Sequence, residues 1–266
     1  MSILGAIAGD IIGSPYEHYP IKATDFPLFG SACRFTDDTV LTIAVADALL
    51  HDGEYARSME DYYYRYPMVP YGARFHDWAS GHDHKPYNSW GNGSAMRVSP
   101  VAYAAQNAES VLAEAQRSAE VTHNHPEGVR GAQATALAVF LARTGHTKEA
   151  ICDQVQDRFG YDLSQTVAQI RPGYSCDLSC QHTVPQAIVC FLDSSGFEET
   201  VRNAVSLGGD ADTMACIAGS IAAPFYGVPD WIRQQVLSLL DEPLLEVTQS
   251  FTLRYEEVEP RHATDG

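Results

Sequence analysis

The chain has 266 residues, 45% of them apolar, and sets 34 Asp and Glu against 17 Lys and Arg, a formal net charge of −17. That balance repels phosphate backbones and anionic bilayers, which argues against binding to nucleic-acid polymers or membranes. The apolar share is that of a globular chain able to bury a sizeable core, so the acidity does not signal disorder.

The first ten residues are apolar, but they lack a basic start and reach Asp10 quickly, so they do not read as a secretory leader. No uninterrupted apolar run approaches the 18 residues of a membrane span. Residues 39–50 place Val40, Ile43, Ala44, Ala48 and Leu49 near a 3.6-residue period, which predicts a helix. Residues 107–121, 131–142, 148–159, 184–192, 198–207, 213–225 and 231–240 carry the same signal. Alternating β-branched runs are scarce, so strands are not expected. The predicted fold is all-α, one compact multi-helix domain over residues 1–255, with 256–266 a polar, frayed tail. Small residues inside several helices, as in 131–136 and 215–223, permit close helix approach. The longest predicted loops are 15–34 and 65–90. The second is rich in Tyr, His, Pro and Gly, a composition suited to a binding loop. The six cysteines are scattered. Only Cys176 and Cys180 are close, without a second pair to complete a zinc site, so free thiols in a cytoplasmic monomer are expected.

Two acidic segments each open a predicted helix: Phe35-Thr36-Asp37-Asp38-Thr39 and Gly208-Gly209-Asp210-Ala211-Asp212-Thr213. Either one alone reads as helix capping, since Thr and Asp cap well and carboxylates suit a helix N-terminus. A cap needs one side chain, however, and each segment offers two carboxylates and a Thr hydroxyl. If the segments meet, four carboxylates share one site. Two such charges 4 Å apart repel by about 4 kcal/mol at an effective dielectric of 20, so protons or cations are required. All-oxygen donors favour Mg²⁺, Mn²⁺ or Ca²⁺ over zinc. Adjacent helical residues point about 100° apart, so Asp37 and Asp38 suit two neighbouring ions better than one.

These segments, with Gly5-Ala6-Ile7-Ala8-Gly9-Asp10 through Gly13-Ser14-Pro15-Tyr16-Glu17, Gly91-Asn92-Gly93-Ser94-Ala95-Met96-Arg97 and His123-Asn124-His125-Pro126, resemble the ADP-ribosylglycohydrolase family, the relatives of dinitrogenase-reductase-activating glycohydrolase. The stretches occur in the family's order and span about residues 3 to 228. The resemblance implies an orthogonal all-α bundle and a centre of two Mg²⁺ (or Mn²⁺) ions. It implies hydrolysis of the glycosidic bond at ADP-ribose C1″, releasing ADP-ribose from a modified protein or a small conjugate. Thr36, Asp37, Asp38, Asp210, Asp212 and Thr213 match the metal positions. Glu17 and Asp37 match the catalytic carboxylates, and Asp10 is a supporting or ligand candidate. Asn92, Gly93, Ser94 and Met96 fall in the phosphate- and ribose-binding loop, and His125 matches a ligand-side histidine. Trp90 and Tyr174 are candidates to stack on adenine. Arg97 is expected to pair with a carboxylate. His76, His82 and His84 are read as members of a solvated loop. The stretch 174–185 follows short bacterial-type members, which leaves the acceptor open, with arginine the first choice. Two other readings stay open: a non-catalytic ADP-ribose-binding or crystallin-like protein, and a two-metal hydrolase of another nucleotide or nucleoside.

Overall fold

The computed structural model describes residues 3–51 and 53–255. In chain order the helices are α1 (Leu4–Gly13), α2 (Asp37–Leu50), α3 (Tyr55–Arg65), α4 (Ala73–Ser80), α5 (Gly93–Met96), α6 (Val101–Ala104), α7 (Ala108–Glu120) and α8 (Pro126–Arg143). They continue as α9 (Lys148–Phe159), α10 (Val167–Ile170), α11 (Cys180–Leu192), α12 (Phe197–Ser206), α13 (Ala211–Tyr226), α14 (Asp230–Leu239) and α15 (Glu242–Tyr255). A 3-10 turn, Ser14–Tyr16, follows α1 directly. Among the described residues the only β pairing is an isolated antiparallel bridge between Gly91 and Ser179. The fold is therefore all-α, and all eight predicted helices are present within a few residues of their expected limits. Among the described residues, no helix is long and apolar enough to cross a membrane. The predicted frayed tail, 256–266, lies outside the described residues.

The centre of the bundle is α13, which packs against α1, α12, α11, α8, α5 and α2. Its tightest neighbour is α1. A Cβ added to Gly5, Gly9 or Gly13 would come closer than 3.0 Å to backbone atoms of Gly219, Ala215 or Ala211, respectively. Rising residue numbers on α1 meet falling ones on α13, so the two helices run antiparallel with their backbones in contact. Glycine at every fourth position makes this possible, because those positions share one helix face. The end of α1 is thereby set against the start of α13.

The sequence signal missed α1 because every one of its ten residues is buried. A helix buried on all sides has no polar face, and its apolar period disappears. Two more helices depart from the expectation by composition. α3 turns Tyr55, Met59, Tyr62 and Tyr63 inward, a helical stripe built mostly of tyrosine. α15 buries Leu244, Thr248 and Phe251, and Thr248 donates its hydroxyl to the Leu244 carbonyl at 2.7 Å. The predicted loop 65–90 also contains a helix, α4, which buries Phe75, Trp78 and Ala79. All six cysteines are free; Cys180 is buried and donates to the Gly91 carbonyl.

Gly9→Ala forces a methyl group into the α13 backbone. Overpacking of this kind costs about 1–3 kcal/mol or more, so its urea midpoint is expected to fall sharply. Gly30→Ala meets no atom within 4 Å and is expected to leave the midpoint within experimental error. Equal midpoints for the two variants would contradict a backbone-to-backbone contact.

Candidate active site

Four segments converge on a cavity of about 510 Å³. Glu17 enters from the turn after α1, Asp37 and Asp38 from the first turn of α2, and Asp210, Asp212 and Thr213 from the start of α13. The fourth segment carries Asn92, Gly93 and Met96 at α5. The two acidic motifs, 175 residues apart at Asp38 and Thr213, meet directly: Thr213 Oγ1 donates to Asp38 Oδ2 at 3.3 Å.

Asp10 fixes the α2 side of this cavity. It is fully buried, and its two oxygens accept from four donors. Oδ1 takes the Thr36 hydroxyl at 2.7 Å, and Oδ2 takes the Thr36 amide at 2.9 Å and the Thr39 amide at 3.1 Å. The Thr39 hydroxyl is the fourth donor, also to Oδ2. Burial raises the Asp10 carboxyl to about 6, against the pull of these hydrogen bonds. Thr36 also caps α2, its oxygen accepting from the Asp38 amide. Its hydroxyl is thus engaged with Asp10 and the helix end.

Carboxylate oxygens of Glu17, Asp210 and Asp212 lie within 4.8 Å of one another. Asp38 Oδ1 is buried with no hydrogen-bond partner among the described residues. Burial raises the carboxyls of Asp37, Asp38 and Asp212 well above the ordinary range, and neighbouring aspartates add to it. Glu17 is raised as well, first by burial; His18 and Arg34 oppose the shift and Asp210 reinforces it. An all-oxygen group of this kind, with an orphaned buried oxygen, has the chemistry of a hard divalent cation site. The structural residues fit such an ion.

The opposite wall is set by Asn92. Its side-chain amide donates to Asp210 Oδ2 at 2.6 Å and to Thr183 Oγ1 at 3.2 Å. The bridge to Ser179 aligns this segment: the Asn92 amide donates to Leu178 O at 2.8 Å and Cys180 N to Trp90 O at 2.9 Å. Thr42 and Cys216, from α2 and α13, both donate to the Met96 carbonyl at 3.3 Å. Ser94 is buried behind the wall with its hydroxyl donated to Gly128 O at 2.7 Å.

The aromatic and histidine candidates separate. Trp90 lines the cavity and is 48% exposed, at its mouth. Tyr174 packs its ring on Gly209 and donates its hydroxyl to His182 O at 3.0 Å, behind the acidic turn and away from the cavity wall. His125 caps α8, its Nδ1 accepting from the Glu127 amide at 3.1 Å. His123, two residues earlier, is buried and lines the cavity instead. Arg97, expected to pair with a carboxylate, donates to Thr122 Oγ1 at 2.7 Å and to Ser118 O at 3.4 Å. Sequence reading also passed over Arg74, Phe75 and Tyr87 on the same cavity, all within the segment taken for a loop.

Comparison with known proteins follows the same outline. A profile of the ADP-ribosylglycohydrolase family matches residues 1–261. The mouse ADP-ribosylhydrolase ARH3 is 27% identical over 307 aligned positions, covering 85% of this chain and 83% of that protein. The ADP-ribosylarginine hydrolase Tri1 of Pseudomonas putida (strain GB-1) is 26% identical over 278, covering 88% of this chain and 72% of that protein. A solved structure described as an ADP-ribosylglycohydrolase-related protein complex superposes with a TM-score of 0.70 at 26% identity, covering 94% of each chain.

Asp10→Asn replaces an acceptor-only group by one whose NH₂ must face the Thr36 or Thr39 donors. Loss of a buried, charge-assisted set of this kind costs about 2–4 kcal/mol, read as a lowered urea midpoint. An unchanged midpoint would remove Asp10 from its role in holding α2.

Proposed function

The chain belongs to the ADP-ribosylglycohydrolase family and is an enzyme of that family, and we propose that it removes ADP-ribose from a modified acceptor by hydrolysing the bond at C1″. Arginine-linked ADP-ribose is the first acceptor we assign, in keeping with the Tri1 relative. The observation that carries this reading is the meeting of Glu17, Asp37, Asp38, Asp210 and Asp212 on one cavity beside a glycine-containing wall.

In this reading Asp37, Asp38, Asp210, Asp212 and Thr213 hold two divalent cations, Mg²⁺ or Mn²⁺, and Thr36 adds only the hydroxyl lone pair that Asp10 and the helix cap leave free. Asp38 Oδ1, without a hydrogen-bond partner among the described residues, supports that assignment. Such cations, when bound, supply positive charge that holds ribose hydroxyls and favours attack by water. Hydrolysis adds OH to C1″ and a proton to the leaving atom of the acceptor, through an oxocarbenium-like transition state. In this reading Glu17 passes that proton; its half-buried, raised carboxyl supports the role. Asp37, at the first position of α2, faces the cavity and orients the ribose side. Asn92 holds Asp210 in place through its side-chain amide.

The diphosphate requires donors that an acidic protein lacks over most of its surface. Gly93 leaves room for the imidazole of His123: a Cβ there would lie 3.3 Å from Nε2. Arg74 and Arg97 bring positive charge to the same wall. Trp90 at the mouth offers a face for adenine.

With ADP-ribosyl-arginine, ADP-ribosyl-serine and O-acetyl-ADP-ribose as substrates, mass spectrometry is expected to detect free ADP-ribose in the presence of Mg²⁺ or Mn²⁺. Turnover should stop in excess EDTA. Asp210→Ala and Asp37→Ala are each expected to lose at least about a hundredfold in kcat. Full activity of either variant in EDTA would overturn the metal-dependent reading. Binding of ADP-ribose without turnover of any substrate would identify a binding protein instead.

A further inference from the structure

Along the cavity wall runs a buried chain of three side chains, Arg97, Thr122 and His123, to which the proposed hydrolysis assigns no step. Arg97 is fully buried and makes no ion pair among the described residues; one guanidinium nitrogen, Nη2, donates to Thr122 Oγ1 at 2.7 Å. Its Nε has no hydrogen-bond partner among the described residues. Thr122 Oγ1 lies 2.7 Å from Nδ1 of His123. The other edge of that imidazole, Nε2, lies against Gly91 and Gly93 on the cavity.

A guanidinium has donors only, so Thr122 must accept from Arg97. The hydroxyl keeps one proton and one further lone pair, and Nδ1 of His123, 2.7 Å away, is the imidazole atom it meets. With the hydroxyl proton turned to Nδ1, the single N–H of a neutral ring falls on Nε2. We propose that Arg97 and Thr122 are positioning residues that fix His123 as its Nε2–H tautomer, so that a hydrogen-bond donor faces the diphosphate side of the cavity. This rests on the proposed ADP-ribose reading only for the identity of what the donor meets.

Two further observations agree. Burial, with Arg97 and Arg74 nearby, holds the His123 imidazole well below its ordinary value, so the ring is neutral and carries a single N–H. Burial lowers Arg97 only to about 10, so it stays a cation at neutral pH and remains an obligate donor. A buried guanidinium without a carboxylate is costly to maintain. Its retention is accounted for if its task is to orient Thr122. Without that donor, a neutral imidazole would offer the ligand either a lone pair or an N–H, and a lone pair facing a phosphate oxygen is repulsive.

Two-bond ¹H–¹⁵N spectra of the full-length chain at neutral pH read the tautomer without reference to activity. The wild type is expected to show His123 protonated on Nε2. Thr122→Val, which keeps the side-chain shape, and Arg97→Met are each expected to give a mixture or the Nδ1–H form, and Thr122→Ser to restore Nε2–H. By calorimetry, Thr122→Val is expected to bind ADP-ribose about tenfold more weakly, the scale of one hydrogen bond, with Thr122→Ser close to wild type. A wild-type Nδ1–H tautomer, or an unchanged Nε2–H form in Thr122→Val, overturns the proposal. If Thr122→Val does not fold, the wild-type spectrum and Arg97→Met decide it alone. Failure of the wild type to bind ADP-ribose overturns the functional reading and leaves the tautomer result intact.

Discussion

The site depends on a single packing constraint, the backbone contact between α1 and α13. Gly5, Gly9 and Gly13 let the two helices touch without side chains between them. Because they run antiparallel, the last turn of α1 meets the first turn of α13, and Glu17 arrives beside Asp210 and Asp212. The same helix carries Asp10 on another face, where it holds the Thr36 and Thr39 amides and hydroxyls. One ten-residue segment thus fixes both acidic motifs. A shift of one residue in its packing would separate carboxylates that are far apart in sequence, since adjacent helical positions differ by about 100° in direction.

Such a cluster is unfavourable by itself. Asp38 and Asp212 are both buried; after burial itself, Asp10, Asp37 and Asp210 raise the Asp38 carboxyl, and Asp38 and Asp210 raise that of Asp212. Repulsion at these distances is worth several kcal/mol if the groups are all ionised, on the order of 4 kcal/mol for each close pair. Hydrogen bonds offset part of this: Asn92 serves Asp210, and the Thr213 amide serves Asp212. They leave Asp38 Oδ1 without a donor among the described residues, a demand that fits the group to a cation better than to helix capping alone. The overall charge of −17 argues against a polyanion held by surface lysines. It is compatible with a small anion held locally, where Arg74, Arg97 and His123 gather on one wall.

Legibility in the sequence followed exposure. Helices with one wet face, such as α7 and α12, were readable from their period, and the two acidic motifs were readable because paired carboxylates exceed the needs of a cap. α1 was unreadable as a helix, since burial on every side removes the period, although its glycines and Asp10 stood out as a motif. α3 hid its stripe in tyrosines, which look like loop residues until their hydroxyls find partners, as Tyr55 does at Glu114. Among the site candidates, His123 and His125 are separated by one residue at the turn between α7 and α8. Sequence cannot say which ring faces inward there, because neither lies on a regular helix whose phase is known. Tyr174 and Ser94 were sound choices by residue type. Their hydroxyls are consumed by His182 and Gly128 backbone carbonyls, a fact that only the tertiary structure holds.

The segment between α1 and α2 is, beyond the Ser14–Tyr16 turn, the loop that its sequence predicts, yet it must hold Glu17 still. Lys22 supplies the means. Its ammonium has three donors, and they reach the carbonyls of Arg171, Tyr174 and Leu207. Arg202 repeats the device on the same segment, donating to Thr24 O at 2.9 Å and Phe26 O at 2.7 Å. In both cases a cation replaces the missing backbone ladder and satisfies carbonyls that would otherwise be left without donors. Leu207 directly precedes the Gly208-Gly209 turn into Asp210, and Tyr174 covers Gly209. Lys22 therefore joins the loop that carries Glu17 to the turn that carries Asp210. Lys22 and Arg202 thus hold carbonyls on the two sides of the acidic turn and keep Glu17 in register with Asp210, without themselves pairing with the carboxylates of the cluster.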